Sequence, residues 1–176
     1  LYFTADDGSN GRELWKSDGT EAGTVLVKSI DQYPERGSSP SDLTAIGGTL
    51  YFSAWQDTSL IELWKSDGTE TGTVMVDDIY AGPFYGSAPS SLTALGDTLY
   101  FSAEYGGLGR ELWKSDGTEA GTVLVKDIYG TIKIGIDTLN PGSNPNNLIS
   151  IGNTLYFTAT DSSNGTELWK SDGTED

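Results

Sequence analysis

Large apolar residues fall along this chain in clusters of two or three, as in Leu14-Trp15, Val25-Leu26-Val27 and Leu50-Tyr51-Phe52, each bounded by Gly, Asp, Ser or Thr. No amphipathic helical period is present, and short apolar clusters between turn residues predict β-strands. One unit can be read from Asp42 to Ile79. Asp42 to Ile46 forms a short strand, and Gly47-Gly48 supplies a hairpin turn. Thr49 to Ala54 forms a second strand, a variable loop runs from Trp55 to Ile61, and Glu62 to Ser66 forms a third. Asp67-Gly68 turns the chain, and Thr73 to Ile79 makes the fourth. Adjacent large apolar residues in one strand point to opposite faces, so both faces of each small sheet need cover.

The units repeat. Glu-Leu-Trp-Lys-Ser-Asp-Gly-Thr begins at Glu13, Glu62, Glu111 and Glu167, with separations of 49, 49 and 56 residues. The extra seven are placed most simply at Tyr129 to Gly135, in a connection ahead of Asn140-Pro141-Gly142. This divides the chain into units over 1–41 (partial), 42–90, 91–146 and 147–176 (partial). A four-stranded unit of this period that buries both faces is blade-sized. The expected fold is therefore all-β, a β-propeller-like array of four-stranded antiparallel repeats, with another stacked β-repeat or a β-sandwich as the alternative. Fourteen strands are expected, two short of four whole units, because the sequence opens and closes inside a unit. Completion by more of a longer chain or by another copy is the expectation.

Composition narrows the function. With 26 acidic and 10 basic residues the net charge is −16, which opposes binding to nucleic acid or an anionic lipid surface. No apolar run is long enough to insert in a membrane as a helix. Cysteine and histidine are both absent, which removes disulfides, zinc-thiolate sites and His-activated nucleophiles together. A carboxylate pair of the glycosidase kind is the surviving catalytic option, and nothing singles one out among so many acids. The expectation is a protein that is not an enzyme.

Within the octapeptide, Trp15, Trp64, Trp113 and Trp169 read as sheet core, since a buried aromatic removes roughly 150–250 Å² from water. Asp18, Asp67, Asp116 and Asp172 read as turn residues whose carboxylates accept backbone N–H bonds. Asp6, Asp7 and Asn10, with Glu13 nearby, are hard oxygen donors on a glycine-containing loop and are the candidate calcium ligands. Tyr33, Trp55, Tyr80, Phe84, Tyr85, Tyr105 and Tyr129 are aromatics at positions the repeat does not demand, and are the candidates for glycan contact.

Glu111 to Ile128, read with the recurrent Leu-Tyr-Phe, resembles the ELWxxDGT repeat of large bacterial surface and secreted proteins across essentially the whole chain. The resemblance implies an extracellular or cell-surface bacterial protein with propeller-like repeats, and it carries no catalytic residues. The implied function is a non-enzymatic scaffold, adhesion or self-assembly module, whose partners are further copies of itself or the rest of a longer chain. The alternative is a lectin-like propeller that binds surface glycans, with calcium as its candidate cofactor. Loops before the third strand differ between units, and Asn-Pro-Gly occurs only at Asn140.

Overall fold

A computed structural model describes residues 1–31, 33, 36–56, 60–81, 86–134 and 137–174. The protein is all-β, and among these residues no sheet closes on itself. The first sheet holds β1 (Tyr2–Asp6), β2 (Arg12–Lys16) and β3 (Val25–Lys28). The second holds β4 (Ser41–Ile46), β5 (Thr49–Gln56), β6 (Leu60–Ser66) and β7 (Val74–Asp77). The third holds β8 (Ser90–Leu95), β9 (Thr98–Tyr105), β10 (Gly109–Ser115) and β11 (Val123–Lys126). A separate hairpin follows, β12 (Ile132–Ile134) with β13 (Asp137–Leu139), and the fourth sheet holds β14 (Asn146–Ile151), β15 (Thr154–Asp161) and β16 (Gly165–Ser171). In every sheet the order along the chain is the order in space, an antiparallel meander.

Three details differ from the sequence expectation. The second strand does not end at Ala54: β5 runs to Gln56 and pairs Trp55 with Ile61, so most of the variable loop is ladder. Likewise β9 reaches Tyr105, joined to β10 by a 3-10 turn over Gly106–Leu108. The seven-residue insertion is not wholly an irregular connection, because its Ile132–Ile134 forms β12, which pairs with β13 just beyond it. Finally, Val27, Val76 and Val125 do not simply alternate with their neighbours. The register jumps from Leu14↔Lys28 to Trp15↔Leu26, and at the equivalent places in the second and third sheets, leaving each of these valines as the extra residue of a bulge. The bulge turns the valine into the core, where all three are buried.

The chain forms two compact units, Leu1–Ala88 and Pro89–Asp176, each containing two sheets of the repeat. In the first unit Leu14 and Val27 of one sheet cluster with Leu50, Phe52, Ala54 and Trp64 of the next. In the second unit Tyr100, Leu112 and Val125 cluster with Leu155, Phe157 and Ala159 in the same way. The Leu/Tyr face of one sheet therefore packs on the Phe/Ala/Trp face of its successor. Each fully buried side chain of this size contributes about 1.5–3 kcal/mol relative to exposure, so these seams are the main cohesive element of each unit.

Candidate functional site

The Asp of each octapeptide is a turn anchor. Asp18 Oδ1 accepts the Thr20 N–H and hydroxyl at 2.9 and 2.7 Å, and Asp67, Asp116 and Asp172 hold Thr69, Thr118 and Thr174 alike. These hydrogen bonds, the threonine hydroxyl first, hold Asp18, Asp67 and Asp172 below the ordinary carboxylate range. The second glycine of the motif is required by the same carboxylate. A Cβ on Gly23, Gly72 or Gly121 would fall 1.9–2.1 Å from the Asp oxygen.

Trp64 and Trp113 are buried, whereas Trp15 and Trp169, in the first and fourth sheets, are half-buried. The indole N–H of Trp169 donates to the Ala159 carbonyl at 3.1 Å, while those of Trp15, Trp64 and Trp113 find no acceptor. Of the loop aromatics, Tyr33 is 50% exposed with the Arg36 guanidinium 5.8 Å from its ring centre, and Trp55 is 39% exposed at the end of β5. Tyr80 and Tyr129 are half-buried, Tyr105 packs 5.5 Å from Trp113, and Phe84 and Tyr85 lie outside the described residues.

The candidate calcium ligands are occupied by their own loop. Asp6 accepts the Gly8 N–H, and Asp7 accepts the N–H groups of Ser9 and Asn10 together with the Asn10 amide. The backbone of Asn10 is the first cause holding the Asp7 carboxyl below its usual range. Asp161 repeats this arrangement with Ser163 and Asn164. Among the described residues no three acidic side chains converge as a metal site would require.

A different constellation, missed in the sequence, joins one sheet to the next. The first residue of the octapeptide, expected only as a strand opener or an outlying cation ligand, is a fully buried carboxylate at Glu13, Glu62 and Glu111. Each accepts the backbone N–H of a serine in the following connection: Ser38 at 3.0 Å, Ser87 at 2.8 Å and Ser143 at 2.8 Å. The same serine hydroxyl donates to the other carboxylate oxygen in all three. The serine lies in a Gly-Ser-x-Pro segment whose x residue, Ser39, Ala88 or Asn144, has φ of 45°, 42° or 50°. Side chains rarely take that conformation, and a following proline disfavours it further. It is held by a backbone bond from x to the strand that carries the glutamate, to Arg12, Ile61 or Arg110 at 2.8–3.0 Å. Ser38 and Ser143 then accept through their carbonyls from Trp55 and Thr160 of the next sheet, both at 2.8 Å. The signal was present, since Glu and Ser stand 25, 25 and 32 residues apart and the difference is the hairpin insertion.

Burial drives all three glutamates upward in pKa, Glu62 to about 7 with Asp78 and Asp77 adding to the effect. The first cause in all three is burial of the carboxyl beneath the connection. Glu167, the fourth copy, is exposed.

Two more polar contacts recur along the seams. Lys16 Nζ donates to the Gly68 carbonyl and Lys114 Nζ to that of Gly173, both at 2.7 Å. Tyr2 and Tyr100 lie over the same glycines, where an added Cβ would sit 2.4 and 1.9 Å from the tyrosine oxygen. No described helix is long and apolar enough to cross a membrane. No family model matches the chain, and no curated protein is significantly similar to it.

Proposed function

We propose that the protein is a non-enzymatic extracellular scaffold, adhesion or self-assembly module of a larger bacterial surface or secreted protein. In this reading its sheets are blades of a propeller-like array, and it belongs with the ELWxxDGT repeats that its sequence resembles. The observation that carries the proposal is the repeated Glu to Gly-Ser-x-Pro clasp. The longest recurring phrase in the chain is used to join one sheet to the next, and not to line an open cleft. The charge of −16 keeps such a surface soluble and away from nucleic acid.

A second reading is a lectin-like module, favoured by the exposed rings of Tyr33 and Trp55 on and beside the connection between the first two sheets. Light scattering across a concentration series, with and without calcium, together with glycan-array binding separates them. The scaffold reading expects growth in mass with concentration, no change on adding calcium and no glycan retained. A monomer that takes up a defined sugar would overturn it.

A further inference from the structure

We infer that each Gly-Ser-x-Pro connection is a strained strap, latched by the buried glutamate and poised to open while the sheets and their seam stay folded. The strap stands under either reading of the function. Among the described residues six that are not glycine take a positive φ, and all six lie in these connections. They fall in pairs three residues apart, Ser39 with Asp42, Ala88 with Ser91 and Asn144 with Asn147, at φ of 42–57°. The first of each pair precedes the proline, where that conformation is disfavoured twice over. The second sits where the register skips, between Ser41 and Thr44, Ser90 and Thr93, and Asn146 and Ile149. Strain that recurs at one place in three connections is held there by its surroundings, and such residues relax once those let go.

The latch has few parts. The glutamate accepts both donors of the serine, and x donates to the strand that carries the glutamate. The glycine before the serine lets the strap lie directly on that strand: a Cβ on Gly37, Gly86 or Gly142 would fall 2.3–2.6 Å from the backbone nitrogen of Arg12, Ile61 or Arg110. Opening breaks these bonds, but it also relaxes the left-handed pair and returns a buried carboxylate to water. Neither relief is available to the seam, whose Leu, Phe and Ala side chains would meet water if the sheets parted. The strap is therefore the part that yields first. In the scaffold reading it lets the path between sheets lengthen under load before either sheet unfolds.

Amide hydrogen exchange, followed by NMR on the whole chain, tests this. The N–H groups of Ser38, Ser39, Ser87, Ala88, Ser143 and Asn144 should exchange roughly 100-fold or more faster than those of the central strands β5 and β9, through an opening that guanidinium barely affects because little surface is exposed. Ala88→Gly removes the strain at x and should slow exchange at Ser87 roughly 2–10-fold, after allowing for the freedom that glycine adds to the open strap. Asn144→Gly should change Ser143 less, since asparagine already tolerates that conformation. Gly142→Ala forces the third strap off its strand and should abolish protection at Ser143 and Asn144, with β9 and β15 protected as in the parent. Strap and central-strand amides exchanging in step, faster exchange in Ala88→Gly, or a Gly142→Ala chain whose strands lose protection as well would overturn the inference. The scaffold and lectin-like readings are decided by the mass and glycan measurements and survive any of these results.

Discussion

The third and fourth sheets carry the same octapeptide and present it to different surroundings. Leu112 is 1% exposed and Leu168 73%. Glu111 is sealed by Ser143 and Glu167 is exposed. Tyr100 is buried with its oxygen over Gly173, and Tyr156 is half-buried. The difference teaches that the phrase encodes half of each of two seams: its Leu and Lys belong to the contact with the following sheet, its Glu to the connection that leads there. A repeat of this kind completes its core only when a neighbour arrives.

The largest test of that comparison is paired truncation. Leu112→Ala should destabilise the protein by about 2–5 kcal/mol, because a cavity is left inside a seam. Leu168→Ala, measured in dilute solution by guanidinium unfolding followed through tryptophan fluorescence, should change stability by about 0.5 kcal/mol or less. Equal losses would mean that the fourth face is covered.

The clasp gives the next effect. Ser143→Ala removes a charge-assisted bond to the buried Glu111 carboxylate and should cost about 1.5–3 kcal/mol. The exposed Glu167→Ala should stay within about 0.5 kcal/mol. A Ser143→Ala protein with the parent unfolding midpoint would show that the hydroxyl bond of the clasp contributes nothing.

The smallest effect is in pH. The folded pKa of Glu62, about 7, lies above its ordinary value of 4.5, so the folded state holds this proton more tightly than the unfolded chain. The resulting stability is complete below pH 4.5 and is lost as pH rises through about 7. Relaxation and solvent entry leave about 1 kcal/mol between pH 5 and 8. Asp18, Asp67 and Asp172 act oppositely, since their folded values are lowered, but they exert their effect near and below 3.8 and leave this window flat. Thermal melts should therefore show a decline across the window in the parent and a shallower one in Glu62→Gln. Parallel curves would remove the assignment.

Much of the sheet plan was legible because its signals are local. Apolar clusters bounded by Gly47-Gly48 and Asp67-Gly68 mark strands and turns at short range, and the octapeptide fixes the period. The ladder beyond Ala54 was not legible: Trp55 and Ile61 look like loop residues until the hairpin pairs them. The pairing of Ile132–Ile134 with Asp137–Leu139 was hidden for the opposite reason, since an inserted strand has no second copy against which to recognise its pattern. The clasp was legible only in part. Gly-Ser-x-Pro recurs as plainly as the octapeptide, yet an acidic residue opening a strand in a chain of −16 reads as solvated surface.

What the sequence determined by itself is the repeat, its antiparallel meander, and the turn in which an Asp carboxylate needs a Gly five residues on. Backbone sterics and near-neighbour hydrogen bonds settle these without reference to distant residues. Only the tertiary structure decided which copies of one phrase are core and which are surface. Burial depends on whether another sheet covers the face, and identical residues cannot encode that difference. The position of a valine in a bulge and the sealing of Glu13 by Ser38 likewise depend on segments brought together in space.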